Sequence, residues 1–132
     1  MKVTVDTNIL VRAVVRDDAV QAAAAATLLQ EAELIAVSLP CLCEFVWVLR
    51  RLYGVGPPDI VVALETLLAA ANVVLNRPAV DAGLAILKAG GDFADGLIAY
   101  EGGWLGADTF VSFDKQAVSL LTEQGQQARL LA

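Results

Sequence analysis

The sequence predicts an α/β fold in which helices cover both faces of a central, mainly parallel sheet. Short β-rich runs alternate with helix-forming segments along the chain, as right-handed crossover connections require. The 132 residues suffice for a single domain with its own core. The hydrophobic content of 58% is high, which is typical of a sheet buried on both faces or of a surface covered by a partner.

Five β-rich runs predict the strands of this sheet. They are Lys2–Val5, Leu34–Val37, Val73–Leu75, Thr109–Ser112 and Arg129–Leu131. In a parallel sheet of this kind the active crevice lies beyond the carboxyl ends of the strands. Residues that directly follow a strand are therefore the first candidates for a functional site.

Seven segments between and after these strands predict helices. Ser38 is a suitable N-cap for the third predicted helix, and the Gly56-Pro57-Pro58 sequence is expected to separate that helix from the fourth. Gly90-Gly91 ends the fifth. The predicted helices are Asn8–Val15, Val20–Ala32, Ser38–Tyr53, Asp59–Ala71, Pro78–Ala89, Asp92–Trp104 and Lys115–Gln124.

Isolated acidic side chains among apolar residues are the main functional signal. They are Asp6, Glu44, Asp95 and Asp114, with Asp92 as a fifth candidate. Carboxylates in apolar surroundings are costly to bury unless a positive group binds them. Oxygen ligands of this type suit a hard cation such as Mg²⁺. The pattern therefore predicts a metal site.

Asp6 and Asp114 each follow a predicted strand, which places both at the crevice and makes them neighbours. An N-cap of the following helix is the alternative for each of them. Thr7 or Asn8 would hold the Asp6 carboxylate or a water bound to the metal. Ser112 would hydrogen-bond a scissile phosphate, the metal or a neighbouring ligand, and the sequence does not choose between these.

Glu44 is the only charged residue between Leu39 and Leu49, and its neighbours one turn away are apolar. A solvated helix face normally carries several polar residues at this spacing, so we expect Glu44 to point inward toward a cation. Asp92 and Asp95 are three residues apart at the start of a helix. Capping suits Asp92 better, and Asp95 is the stronger metal candidate.

Composition excludes several other functions. The chain has no histidine, which rules out paired imidazoles and HExxH zinc sites, and its net charge of −6 disfavours a simple electrostatic nucleic-acid binder. The two cysteines are interpreted as core residues of a cytoplasmic protein. Charged residues interrupt every apolar stretch before the ~18 residues a membrane span needs, and the N-terminus lacks a secretory apolar region.

Four segments together resemble the PIN-domain family, and within it the small VapC-type toxins of toxin–antitoxin pairs. They are VTVDTNIL, CEFVWVL, DFADGLIA and GADTFVSFD, in this order along the chain. By position, Asp6, Glu44, Asp95 and Asp114 match the acidic quartet of the family. Asp92 matches a further acidic position of many members, Ser112 a Thr or Ser, and Thr7-Asn8 a polar pair. Gly96 stands where members often have Ala.

The resemblance implies a three-layer α/β/α PIN-like domain over residues 1–132 that acts as an endoribonuclease with Mg²⁺ or Mn²⁺. Carboxylates of such enzymes hold ions that activate a water and stabilise charge on the phosphate. The resemblance also implies a homodimer and a cognate antitoxin protein that covers the crevice. The alternatives are an inert PIN-like module that binds RNA or a protein, and a metal-dependent phosphatase. Arg12 with Arg16, and Arg50 with Arg51, would guide an RNA backbone or serve as ordinary surface charge.

Overall fold

Short strands alternate with helices along all 132 residues, which the computed structural model describes in full. The strands are β1 (Lys2–Thr4), β2 (Leu34–Ala36), β3 (Val73–Val74), β4 (Phe110–Ser112) and β5 (Ala128–Leu130). The helices are α1 (Thr7–Val14), α2 (Ala19–Glu31), α3 (Leu39–Arg51), α4 (Pro57–Ala69), α5 (Arg77–Lys88), α6 (Phe93–Trp104) and α7 (Lys115–Glu123). The predicted α/β class is confirmed.

The chain divides into two compact units, Met1–Asn76 and Arg77–Ala132. The first contains a three-stranded sheet in the order β1-β2-β3, and the second contains a two-stranded sheet of β4 and β5. Every pairing is parallel, with Val3 opposite Ile35 in the first unit and Val111 opposite Arg129 in the second. The predicted parallel arrangement of the strands is therefore confirmed.

In the first unit, strand β2 is central and its middle residue Ile35 is fully buried. Helix α1 packs against both α2 and α3, and its Leu10 is buried together with Phe45 and Leu49 of α3. The Asn72 side-chain amide donates hydrogen bonds to the carbonyls of Leu29 and Ala32 at 2.9 and 3.0 Å, which fixes the start of β3 beside the end of α2. Helix α1 is thus held against α2 and α3 within the first unit.

In the second unit, α5 and α6 pack closely, and Gly96 makes this approach possible. A Cβ atom at Gly96 would lie 2.5 Å from the carbonyl oxygen of Ala82 on α5. Real Cβ atoms do not approach an oxygen so closely, so any larger residue would force the helices apart. Gly96 is therefore part of the packing that positions its neighbour Asp95.

Helix α4 differs from the prediction at its start. We expected Gly56-Pro57-Pro58 to act only as a break before a helix from Asp59, but α4 begins at Pro57. The first helical positions lack an intrahelical partner for their N–H groups, and the fixed φ of proline suits them. Other predicted boundaries agree within about two residues. No helix in the structure combines the length and the apolar character needed to cross a membrane.

We expect Gly96→Ala to lower the free energy of unfolding by about 1–3 kcal/mol, because the added methyl group collides with the α5 backbone. Gly102→Ala is the matched control, since it lies in the same helix and a Cβ there meets no atom within 4 Å. That control should gain up to about 1 kcal/mol from helix propensity. Urea denaturation of both variants measures the difference, and a Gly96→Ala protein as stable as wild type would contradict the packing argument.

Candidate active site

Asp6 lies at the junction of β1 and α1 in the first unit. The buried residue Val5 precedes it, and its own side chain is exposed. Asp6 is the N-cap of α1, where its Oδ1 accepts a hydrogen bond from the backbone N–H of Ile9 at 3.3 Å. The capping alternative is therefore correct for Asp6 as a local structural role. It leaves Oδ2 without a hydrogen bond inside the protein.

Thr7 and Cys41 connect Asp6 with helix α3. Burial raises the pKa of the Cys41 thiol, a hydrogen bond from the Thr7 side chain lowers it, and the charges of Asp6 and Glu44 raise it further. Asp6 and Glu44 therefore lie within electrostatic reach of the same thiol. Thr7 is only 8% exposed, whereas Asn8 is exposed.

Cys41 is buried, as predicted for a core residue, but its place beside the two acidic residues was not predicted. The available signal is its spacing: Cys41 precedes Glu44 by three residues, which is about one helical turn. Sequence reasoning missed the connection because it treated Cys41 only as a packing residue. The Thr7 side chain at the start of α1 and the charges of Asp6 and Glu44 all influence the pKa of this thiol on α3.

The prediction that Glu44 points into the protein interior is wrong. Its side chain is exposed, and so is Trp47 one turn later, while Phe45 and Leu49 are buried. The prediction assumed that apolar neighbours mark a buried face. Helix α3 instead places its single tryptophan side chain, Trp47, on the solvent side, so the apolar residues around Glu44 are divided between both faces.

The second unit holds the other three acidic candidates. Asp92 is the N-cap of α6 and accepts a hydrogen bond from the N–H of Ala94 at 3.1 Å, as we expected for this residue. Asp114 is the N-cap of α7, and its Oδ1 accepts from the N–H groups of Gln116 and Ala117 at 2.9 and 3.2 Å. Asp95 lies in the first turn of α6 and is half-buried.

Burial raises the pKa of Asp95, and the neighbouring charges of Asp92 and Asp114 raise it further. Asp92 and Asp114 therefore both lie within electrostatic reach of Asp95. Like charges this close disfavour the ionised form of at least one member. The second unit thus concentrates negative charge at the N-termini of two helices.

Ser112 is hydrogen-bonded to the backbone of Asp114. Its Oγ accepts a hydrogen bond from the backbone N–H of Asp114 at 3.0 Å. Of the three roles left open for Ser112, contact with a neighbouring candidate residue is the one present here. This bond fixes the backbone at the end of β4 and with it the start of α7.

The acidic candidates form two groups, Asp6 with Glu44 in the first unit and Asp92 with Asp95 and Asp114 in the second. The oxygen ligands of both groups suit a hard divalent cation. All five candidates offer carboxylate oxygen, which is the preferred ligand of Mg²⁺ and Mn²⁺. The cap bonds of Asp6, Asp92 and Asp114 use Oδ1, so each retains a second oxygen. No group of three or more His, Cys, Asp or Glu side chains is arranged to hold a metal ion. The residues therefore fit a metal by type, without a preformed ligand geometry.

Arg12 does not act as a freely exposed cation. Its guanidinium donates hydrogen bonds to Asp17 and Gln21, both at 2.8 Å, and to the Tyr53 hydroxyl at 3.1 Å. These bonds tie α1 to the start of α2 and to the residues that follow α3. Neither an RNA guide nor ordinary surface charge describes Arg12, because its guanidinium is engaged in bonds within the protein. Arg16, Arg50 and Arg51 are exposed.

We expect Asp95→Asn to stabilise the metal-free protein at neutral pH by about 0.5 kcal/mol, because it removes the cost of burying an ionised carboxylate and the repulsion from Asp92 and Asp114. A raised folded-state pKa means that the folded protein binds the proton more tightly than the unfolded chain does. Proton binding by Asp95 therefore stabilises the folded wild-type protein. This contribution is fully present below the pKa of Asp95 in the unfolded chain and is lost as the pH rises through its pKa in the folded protein. The difference between variant and wild type should therefore vanish in acid.

Asp59→Asn is the matched control, since Asp59 is an exposed acid in the first turn of α4. That substitution should cost a few tenths of a kcal/mol, because a carboxylate at a helix N-terminus is favourable. Thermal unfolding in chelator at neutral and acid pH measures both variants. An Asp95→Asn protein that is less stable than wild type at neutral pH would contradict the electrostatic account.

One family model, that of the PIN domain, matches residues 3–119. The match includes every acidic candidate of both units. PIN domains are generally nucleases and typically use divalent metal ions, which supports a hydrolase acting on nucleic acid. No curated protein matches the chain.

Proposed function

The chain belongs to the PIN domain family, and from this premise we propose that it is a divalent-metal-dependent endoribonuclease. The observation that carries the proposal is the half-buried carboxyl group of Asp95 in the first turn of α6, on which the charges of Asp92 and Asp114 act and whose repulsion a bound cation would relieve. Asp6 and Glu44 are the proposed carboxylates of the first unit, and both lie within electrostatic reach of the Cys41 thiol. Mg²⁺ or Mn²⁺ is the proposed cofactor.

The proposed catalytic residues are Asp6, Glu44, Asp95 and Asp114, with Asp92 as a further ligand. A bound divalent cation supplies Lewis-acid chemistry, activating a water and stabilising charge on the phosphate. The chain's own contribution is to hold the carboxylates. The N–H group of Ile9 holds the Asp6 carboxylate, and the Ser112 hydroxyl accepts a hydrogen bond from the backbone N–H of Asp114. The family match spans both units, so we treat residues 1–132 as one nuclease domain.

We further propose that the protein is the toxin of a VapBC-type pair, with a cognate antitoxin and a second copy of the chain as partners. The order of the four acidic motifs along the sequence supports this role. Several large apolar side chains are also exposed, as is typical of partner-covered surfaces. In the second unit they include Trp104, Leu105 and Phe113.

Induced expression should arrest growth with the wild-type protein and not with Asp6→Asn.

We expect Asp6→Asn to reduce RNA cleavage in Mg²⁺ or Mn²⁺ to the level seen in chelator, without loss of folding. Asparagine caps a helix about as well as aspartate, so the α1 cap survives while a carboxylate is lost. Purified protein is incubated with total RNA, and new 5′ ends are mapped. Thermal unfolding with and without Mg²⁺ gives a second measurement, because an ion that binds only the folded state raises its stability.

Asp18→Asn is the matched control, since Asp18 caps α2 by accepting from the N–H of Gln21 at 3.0 Å and lies outside both acidic groups. That variant should cleave RNA at the wild-type rate. Equal cleavage by Asp6→Asn and Asp18→Asn would contradict the proposed mechanism. RNA binding without cleavage by the wild-type protein would identify an inert PIN-like module, and cleavage of phosphate monoesters alone would identify a phosphatase.

A further inference from the structure

Helix α3 carries an exposed stripe that the proposed catalytic role of Glu44 does not explain. At about 100° per residue, Pro40, Glu44, Trp47 and Arg51 fall within an arc of about 60°. All four are exposed, whereas Cys41, Leu42, Phe45, Val46 and Leu49 on the other faces are buried. The stripe therefore combines a carboxylate, an indole ring and a guanidinium on the solvent side of one helix.

Trp47 is the least expected member of this stripe. It is 55% exposed, so a large apolar ring remains in contact with water although α3 has an extensive buried face. Its indole N–H has no hydrogen-bond partner within the protein. The other tryptophan of the chain, Trp104, differs because its Nε1 donates to the Tyr100 hydroxyl at 2.6 Å. Trp47 thus offers exposed indole surface and an unpaired N–H group to a ligand.

Arg50 and Arg51 give the same end of α3 a positive charge. Both are exposed in the last turn, where basic residues also favour the helix C-terminus. They supply two of the nine basic residues in a chain of net charge −6. An indole with adjacent guanidiniums is the combination that single-stranded nucleic acid recognises, through base stacking and phosphate contacts. Along the helix, Trp47 lies about 4.5 Å from Glu44 and about 6 Å from Arg51.

We propose that Trp47 is a positioning residue on which a base of single-stranded RNA stacks, with Arg51 and Arg50 binding the adjoining phosphate. The inference rests on the proposed nuclease function, since it places a nucleotide one helical turn from the catalytic candidate Glu44. Charge complementarity selects RNA as the occupant, because the two arginines attract a polyanion. A purely apolar partner surface would leave both guanidiniums without a counter-charge.

The intrinsic fluorescence of Trp47 tests the stacking directly, because the chain has two tryptophans and Trp104→Phe leaves only one. The full chain carrying Asp6→Asn and Trp104→Phe is titrated with a short single-stranded RNA of mixed sequence. Stacking should quench the remaining Trp47 emission at the RNA concentration at which anisotropy of labelled RNA reports binding. The matched protein with Trp47→Phe, which retains Trp104, should show no quenching.

Affinity and kinetics give the second measurement. Trp47→Ala should weaken RNA binding about fivefold or more, equivalent to ~1 kcal/mol of base stacking, and Trp47→Phe should retain most of the affinity. In cleavage assays Trp47→Ala should raise KM with kcat near wild type, because uniform binding is lost. Arg51→Gln should reduce the slope of log affinity against log salt by about one. Trp104→Ala should change none of these values.

The possible outcomes separate this inference from the proposed function. Metal-dependent cleavage with unchanged Trp47 emission and a wild-type KM for Trp47→Ala would overturn the stacking site and leave the nuclease standing. Absence of RNA binding and cleavage by the wild-type protein would overturn both. Two results together would identify the stripe as a contact between two copies and also overturn the inference. They are a changed sedimentation of the Trp47→Ala protein and an unaltered Trp47 emission when RNA is added to the Trp104→Phe protein.

Discussion

Backbone N–H groups at helix N-termini hold most of the candidate carboxylates of this protein in place. Asp6, Asp92 and Asp114 each follow a strand or loop and accept hydrogen bonds from the first turn of the next helix. The partial positive charge of a helix N-terminus lowers the cost of keeping an acid ionised there. The same bonds fix the direction of the backbone at the points where the chain leaves β1 and β4. Local folding and the placement of the acidic groups therefore depend on the same interactions.

The capping hydrogen bonds do not neutralise the negative charge of the carboxylates that they hold. In the second unit, Asp95 is half-buried and lies within reach of two other carboxylates, and its pKa is raised as a result. Folding alone does not require a third acid beside two caps, and its charge repels theirs. A function that uses the acidic side chains explains this repulsion. A bound divalent cation would make the interaction energy of these carboxylates favourable. Membership of the PIN domain family is consistent with this explanation.

Most of the fold could be predicted from the sequence because the local signals agree with one another. The five strands and seven helices follow from residue pattern and capping residues, and the caps at Asp6, Asp92 and Asp114 were among the alternatives considered. The exposure of Glu44 could not be predicted, because a tryptophan at a solvent-facing helix position breaks the usual relation between apolar residues and burial. The bonds from Arg12 to Asp17 and Tyr53 depend on tertiary structure, which sequence spacing does not reveal. The close packing at Gly96 depends on helix approach in the same way.

The central claim is that the acidic groups of both units bind divalent cations. Paramagnetic broadening by Mn²⁺ tests it most directly, because the effect is limited to amides near the bound ion and does not require a known RNA. The account predicts that substoichiometric Mn²⁺ broadens the amide signals of Ile9, Ala94 and Gln116, whose N–H groups bind Asp6, Asp92 and Asp114. The signal of Gln21, which binds the capping residue Asp18, should persist. Equal broadening of Gln21 and the other three amides would contradict the claim.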